Sequence, residues 1–159
     1  MQADHGNQDI LLDNIDRDII NQIQSDFPIT PRPFQAIAER IGITEQDVIT
    51  RIGHLKKKKI IRRIGGNFVP EKLGFVSTLC AAKVPEDRID HFTDVVNRYP
   101  GVTHNYQREN HYNIWFTFIT SSIEEIENNL IQISETTGIS EILNLPATKV
   151  FKIRAEFLV

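Results

Sequence analysis

The chain has 159 residues, of which 40% are hydrophobic and 25% are charged, and its formal net charge is −3 at pH 7. This composition is typical of a globular protein and excludes an intrinsically disordered chain. No apolar run approaches the roughly 20 residues of a membrane-spanning helix, so we predict no membrane span. A dedicated DNA-binding protein usually carries an excess of basic residues, which this chain lacks.

Cys80 is the only cysteine, which excludes an intrachain disulfide and a cysteine cluster for zinc or iron–sulfur. Cys80 lies in an apolar run, and we expect it to be a small residue of the hydrophobic core. Residues 1–7 lack the basic start and apolar core of a signal peptide, so we expect a cytoplasmic location. Phosphate-loop and nucleophile-elbow motifs are absent, and we predict no resident metal or organic cofactor.

The first half of the chain has the apolar periodicity of helices. The predicted elements are helices over 13–26, over 34–41 and from Thr44 onward, then strands over 60–64 and 67–69. Gly42 is the expected C-cap of the second helix. Thr44 is the expected N-cap of the third, with Asp47 completing a capping-box variant. Gly65-Gly66 predicts the turn of a β-hairpin. This order predicts a winged helix-turn-helix.

The second half alternates between strands and helices. In chain order we predict a strand over 75–83, a helix from Pro85, strands over 102–107 and 112–120, a helix over 121–134, and terminal strand segments at 142–145 and 149–158. The order βαββαβ predicts a ferredoxin-like sandwich. The predicted fold class is therefore α+β, with a winged helix-turn-helix domain at 1–69 and a ferredoxin-like domain at 75–159.

A basic run accompanies the third helix and contains Arg51, Lys56, Lys57, Lys58, Lys59, Arg62 and Arg63. Such a run can contact phosphates, or it can complement the helix macrodipole and keep the surface soluble. Glu45 and Asp47 lie at the start of the helix, where phosphates and base edges would approach. We therefore do not expect DNA to be the main partner.

The segment from Gly101 to Phe116 concentrates chemically active side chains. It holds two histidines, an arginine, two tyrosines and the only tryptophan: His104, Tyr106, Arg108, His111, Tyr112 and Trp115. Such a set suits a large, flat ligand with carboxylates, because the arginine pairs with a carboxylate, the rings stack, and the histidines bind a metal or transfer a proton. A short turn between the two strands would bring His104 and His111 together. Two alternatives to a binding role remain: Arg108 could form an ion pair on the surface, and Trp115 could occupy a buried position of a strand.

Lys149, Lys152 and Arg154 cluster near the end of the chain. A strand would place Lys152 and Arg154 on one face. They are candidates for holding ligand carboxylates, although an exposed sheet face would explain them equally well.

Two families share motifs with this chain. Residues 37–44 and 48–52 resemble the helix-turn-helix of the Lrp/AsnC family, whose effector-binding, dimer-forming domain resembles the βαββαβ half. The segments Pro100-Gly-Val-Thr-His-Asn-Tyr106 and Tyr112-Asn-Ile-Trp-Phe-Thr117, together with 61–68, 73–79 and 145–152, resemble the siroheme (sirohaem) decarboxylases. Those enzymes share the regulator's fold and serve heme and heme d1 biosynthesis.

This resemblance implies removal of CO2 from two acetate side chains of siroheme, giving didecarboxysiroheme. It also implies a heterodimer of homologous subunits, with the pocket at or near their contact. The residues that fall on the family's pocket motif are His104, Tyr106, Arg108, Tyr112, Asn113 and Trp115. The resemblance leaves open whether this subunit or its partner holds the competent site.

The residues themselves fit such a reaction. His104 or His111 suits the donor of a proton to the carbanion that CO2 leaves behind, or an axial contact to the substrate iron. The candidates for holding the remaining carboxylates are Arg108, Lys149, Lys152 and Arg154. Two alternatives remain: a ligand-responsive regulator of the Lrp/AsnC type, and a heme-binding partner subunit without catalytic activity.

Overall fold

The computed structural model describes residues 12–66, 68–152, 157 and 159. These residues form two compact units. The first consists of residues 12–66 with 157 and 159, and the second of residues 68–152. None of the described helices is long and apolar enough to cross a membrane.

The first unit contains three helices, α1 (Asn14–Ser25), α2 (Pro33–Ile41) and α3 (Glu45–Lys57). Their apolar faces meet in one core, which contains Ile19, Ile37, Ala38, Val48, Ile52, Leu55 and Ile61. The predicted caps are confirmed. Gly42 ends α2 in the left-handed region with φ of 83°, and Thr44 Oγ1 accepts a hydrogen bond from Asp47 N at 3.1 Å. The sequence therefore specifies the helix-turn-helix locally as well as through its apolar pattern.

The hairpin that we predict after α3 is not seen, because the described residues of 60–69 form no strand. The physical reason lies at the end of the helix. Ile60 N and Ile61 N both donate to Leu55 O, at 3.0 and 3.3 Å. The two isoleucines thus pack on the helical core rather than along a strand.

The second unit has the order βαββαβ. Its elements are β1 (Val76–Ala82), α4 (Ile89–Val96), β2 (Val102–Gln107), β3 (Ile114–Thr120), α5 (Ile123–Thr137) and β4 (Ile142–Leu145), with short 3₁₀ turns at Pro70–Leu73 and Glu86–Arg88. The strand order in the sheet is β2-β3-β1-β4, and neighbouring strands are antiparallel. The α+β fold class and the ferredoxin-like sandwich are confirmed.

The last predicted strand is shorter than expected. β4 ends at Leu145, and residues 149–152 form no strand. Phe157 lies against α1 instead, where Gln24 Nε2 donates to Phe157 O at 2.6 Å and Phe157 N donates to Gln24 Oε1 at 3.0 Å. The remainder of the predicted strand, 153–156 and 158, lies outside the described residues.

Helices α4 and α5 cover one face of the sheet, and the core lies beneath them. Its largest side chains are Phe92 from α4 and Phe116 and Phe118 from β3. Cys80 belongs to this core, as predicted, and burial raises the pKa of its thiol to about 12. Gly101 is required at the start of β2, because a Cβ there would collide with Ile119 O.

An ion-pair cluster fastens α1 to α3. Asp13, the N-cap of α1, accepts from Asp16 N at 2.7 Å. Arg51 Nη1 donates to Asp13 Oδ2 at 2.7 Å and to Asp16 Oδ1 at 2.8 Å. The Asp16 N–H and the Arg51 guanidinium lower the pKa of the Asp13 carboxyl below its ordinary value.

We predict that Asp13→Asn destabilises the fold at pH 7 but not in strong acid. Because folding lowers the pKa of Asp13, its charge stabilises the native state above the unfolded-state value, near 3.8, and this contribution is lost as the pH falls through the lowered value. Asparagine is also a good N-cap, so the variant removes mainly the charge.

Thermal unfolding followed by circular dichroism between pH 7 and pH 2 tests this expectation. The midpoints of wild type and variant should converge at the acid end. Asp18→Asn is the matched control, since no described hydrogen bond or ion pair involves that exposed carboxylate of α1. A difference in midpoint that persists unchanged at acid pH would show that the charge of Asp13 is not the source of the stabilisation.

Candidate active site on the open face of the sheet

The sheet has an open face, which is the face opposite α4 and α5. Along β3, Ile114, Phe116 and Phe118 are buried beneath the helices, whereas Trp115 and Thr117 alternate onto the open face. Within the described part of the second unit no helix covers this face, and Leu79, Leu143 and Leu145 are 42%, 36% and 40% exposed on it.

A concave surface of about 410 Å³ lies on the open face, and we call it the sheet cavity. It is lined by Leu79, His104, Tyr106, Arg108, Trp115 and Thr117. The structure therefore brings together four of the residues that the sequence singles out, namely His104, Tyr106, Arg108 and Trp115. Leu79 and Thr117 were missed, although strand alternation places Thr117 on the same face as Trp115.

The side chains from β2 follow one another across the cavity. The rings of His104 and Tyr106 are stacked, with centroids 6.1 Å apart. The Arg108 guanidinium lies 5.9 Å from the centre of the Tyr106 ring, within range of a cation–π interaction. Arg108 takes part in no ion pair within the described part of the chain, so the surface ion pair considered from sequence is not seen there.

A β-bulge determines which β2 side chains reach the cavity. Val102 pairs with Phe118 and packs on the core, whereas His104 pairs with Thr117. In a regular strand, Val102 and His104 would lie on the same face of the sheet, because they are two residues apart. The extra residue, Thr103, shifts the register and turns His104 to the open face. Thr103 Oγ1 lies 3.1 Å from His104 Nδ1.

Three predicted site residues do not line the sheet cavity. His111 lies in the turn between β2 and β3, with its Nε2 4.0 Å from Glu141 Oε2. Tyr112 packs edge-on against His111, and its carbonyl accepts from Trp115 Nε1 at 2.7 Å. Tyr112 thus holds the indole in place through its backbone.

Asn113 is the third of these residues, and its amide is engaged within the protein. Its Oδ1 accepts from Val84 N at 2.9 Å, and its Nδ2 donates to Val84 O at 2.8 Å. Its carbonyl accepts from Arg108 N at 2.8 Å. Asn113 therefore ties the base of the β2–β3 turn to Val84, which lies two residues after the end of β1.

Two of the predicted basic site residues, Lys149 and Lys152, do not line the sheet cavity. Lys149 and Lys152 are exposed, and Lys149 Nζ lies 5.0 Å from the centre of the Phe151 ring. Arg154 lies outside the described residues. No three His, Cys, Asp or Glu side chains in the described part of the chain are placed to hold a metal ion.

The helix-turn-helix carries acidic side chains where a DNA-binding protein would need basic side chains. Glu45 and Asp47 occupy the first turn of α3, and Arg32 pairs with Glu45. Arg51 is engaged by Asp13 and Asp16. The exposed lysines at the end of α3 lie at the opposite end of that helix from Glu45 and Asp47.

Two family models match this chain. Residues 72–152 match the model of the AsnC-like ligand binding domain, and residues 16–62 match the siroheme decarboxylase NirDL-like HTH domain. The chain is 56% identical over 146 residues to the siroheme decarboxylase alpha subunit of Desulfovibrio desulfuricans, covering 92% of this chain and 84% of that one. This chain belongs to the siroheme decarboxylase family.

Solved structures show the same fold. The siroheme decarboxylase NirDL in complex with an iron-uroporphyrin III analogue is 28% identical, with a TM-score of 0.66 over 91% of this chain and 48% of that chain. The E. coli AsnC structure is 20% identical, with a TM-score of 0.75 over 92% of this chain and 98% of that chain, and this likeness shows the fold alone.

We predict that Asn113→Ala lowers the free energy of unfolding by about 1–3 kcal/mol, which is the usual loss of two hydrogen bonds. Val84 is 3% exposed, so its N–H and carbonyl have little access to replacement water. Urea unfolding followed by tryptophan fluorescence and circular dichroism measures the change. Asn128→Ala, on the exposed side of α5, is the control and should change stability by less than about 0.5 kcal/mol. Equal stability of the two variants would show that the hydrogen bonds between the Asn113 amide and Val84 do not stabilise the β2–β3 turn.

Proposed function

We propose that this chain is a subunit of a siroheme decarboxylase that removes CO2 from acetate side chains of siroheme to give didecarboxysiroheme. The observation that carries the proposal is the sheet cavity, where a histidine, an arginine and two aromatic rings converge on one open sheet face. The decarboxylase relatives give the substrate class, and the cavity supplies groups that suit it.

The cavity matches the polarity of the proposed substrate. Trp115 and Tyr106 offer ring faces to a macrocycle, and Leu79 adds apolar surface. Arg108 supplies a planar donor for one of the carboxylates. Lys149, Lys152 and Arg154 are proposed to hold further carboxylates. No resident metal or organic cofactor is needed, because the iron belongs to the substrate and the conjugated ring accepts the electron pair.

The size of the cavity supports a second subunit. At about 410 Å³ it lies near the small end of the range of about 300–1,000 Å³ for ligand pockets. A tetrapyrrole with acetate and propionate arms needs more surface than this. The exposed leucines of the open face also need a cover in water. We therefore propose a homologous partner on the open face, consistent with relatives that are named as subunits.

The proposed reaction is balanced without an oxidant. The bond between the acetate methylene and its carboxylate breaks, CO2 leaves, and the electron pair stays on the methylene carbon, delocalised over the macrocycle. A proton from His104 then converts that carbon to a methyl group. Arg108 holds a different carboxylate, so that the reacting one is not stabilised by a nearby positive charge. His104 is favoured over His111 as the donor because it lines the cavity.

A regulator of the Lrp/AsnC type is the weaker candidate. The fold is compatible with it, but the first turn of α3 is acidic and Arg51 is engaged by two carboxylates. Binding to random duplex DNA at low salt, where phosphate contacts are strongest, would favour the regulator.

The test is anaerobic incubation of the purified protein with siroheme, alone and with its homologous partner, followed by mass spectrometry of the tetrapyrrole. The expected result is successive losses of CO2 in the mixture. Siroheme that keeps its mass in both incubations would refute the proposal. A heme-binding but non-catalytic subunit would bind the tetrapyrrole, while substitutions in its own cavity would leave turnover by the partner unchanged.

We predict that His104→Ala lowers kcat by about 10²–10⁴, the usual loss for a positioned proton donor. KM should change little, since the substrate carboxylates are held by other side chains. His91→Ala, an exposed histidine of α4, is the control and should keep wild-type kinetics. Near-full turnover of His104→Ala with the partner present would assign the chemistry to the other chain.

We predict that Arg108→Ala chiefly raises KM, by about 10- to 150-fold, because one charge-assisted hydrogen bond contributes about 1.5–3 kcal/mol. Steady-state kinetics with the partner present separate this effect from a change in kcat. Arg98→Ala is the matched control, because Arg98 is an exposed arginine that lies two residues after the end of α4. An unchanged KM would exclude Arg108 from substrate binding.

A further inference from the structure

Thr103 is the residue that the β2 bulge adds, and it lies directly beside the proposed proton donor. The register moves between Val102 and His104, so that Thr103 has no partner on β3. Bulges often re-aim side chains next to active sites. Here the bulge has two consequences, since it turns His104 to the open face and places a hydroxyl 3.1 Å from His104 Nδ1.

We propose that Thr103 is a positioning residue that holds the His104 ring through Nδ1 and leaves Nε2 to deliver the proton. This inference rests on the proposed function. A hydroxyl can accept from Nδ1–H of the charged ring, and it can do so equally after Nε2 has lost its proton. The same hydrogen bond is therefore kept before and after the transfer, and the ring need not turn.

The proton balance is complete with this arrangement. The imidazolium of His104 gives its Nε2 proton to the methylene carbon from which CO2 has left. The product is the neutral ring with its proton on Nδ1, still bonded to Thr103 Oγ1. A proton from water then restores the imidazolium before the next acetate reacts. The other side chains that line the cavity are the phenol of Tyr106, the guanidinium of Arg108 and the groups of Leu79, Trp115 and Thr117, and His104 is the only imidazole among the lining residues.

Thr103 does not line the cavity itself, and its hydroxyl matters because it lies within hydrogen-bond distance of His104 Nδ1. Trp115 is fixed by its own hydrogen bond to Tyr112 O at 2.7 Å. The His104 ring makes no other described hydrogen bond, and its other ring neighbour is the stacked Tyr106. Loss of the Thr103 hydroxyl should therefore allow the His104 ring to rotate while the residues that line the cavity stay in place.

The experiment is a double-mutant cycle on the protein with its partner. Thr103→Val keeps the β-branched shape and removes the hydroxyl, Thr103→Ser keeps the hydroxyl, and His104→Ala removes the donor. Single-turnover assays with enzyme in excess keep slow rates measurable. Thr93→Val is the matched control, because the Thr93 hydroxyl bonds only to backbone carbonyls of its own helix.

The expected result has three parts. Thr103→Val lowers the rate of CO2 loss by about 2- to 10-fold at unchanged KM, which corresponds to one hydrogen bond. Thr103→Ser restores the rate. The double variant of Thr103→Val and His104→Ala is as slow as His104→Ala alone, within about 2-fold.

Several results would overturn the inference. They are a wild-type rate for Thr103→Val, a serine variant as slow as the valine variant, and a double variant whose losses multiply. If Thr103→Val does not fold by circular dichroism, Thr103→Ala replaces it under the same criteria. A wild-type mixture that releases no CO2 would refute the proposed function itself, whereas changes confined to the Thr103 variants concern this inference alone.

Discussion

The pairing of β2 with β3 is the constraint on which the candidate site depends. Phe116 and Phe118 must face the helices to fill the core, and this requirement places Trp115 and Thr117 on the open face. The partner strand must then supply His104 opposite Thr117, which the bulge at Thr103 achieves. A shift by one residue would bury the histidine and expose core aromatic rings, so the hydrophobic core itself fixes the register of the site.

The same constraint supports the proposed partner on the open face. A sheet covered by helices on one side keeps its other side apolar but uncovered, with Leu143 and Leu145 beside the cavity. An exposed apolar patch of this kind is typical of an interaction surface. Covering it with a homologous chain would enclose the substrate and exclude water, which strengthens the electrostatic interactions of Arg108 and His104. In this arrangement, assembly and substrate binding would use the same face.

Much of the fold follows from the sequence because its signals are local. Capping residues, helical periodicity and strand alternation specify nearly all the helices and strands and the βαββαβ order. The hairpin predicted after α3 is not seen among the described residues, because the apolar pattern of Ile60 and Ile61 fits packing on a helical core as well as it fits a strand. Helix α5 continues past the predicted end at Ser134 until Gly138 adopts φ of 66°.

The site was only partly predictable, for a related reason. His104, Tyr106, Arg108 and Trp115 were identified from residue type and spacing, and they converge. His111 and Asn113 have equally suitable chemistry, but the turn directs one toward Glu141 and the other to the backbone of Val84. Sequence spacing cannot reveal that an amide is already satisfied within the protein, nor that a bulge changes which face a strand residue occupies.

The first unit shows how a fold can persist while its surface chemistry changes. Its helix-turn-helix is complete, with both predicted caps and a continuous core. In α3, however, the acidic side chains of Glu45 and Asp47 occupy the first turn and disfavour contact with phosphates. Arg51 forms ion pairs with Asp13 and Asp16 at the start of α1. The helices of the first unit therefore pack without needing DNA recognition, whereas the second unit brings a histidine, an arginine and two aromatic rings to one cavity.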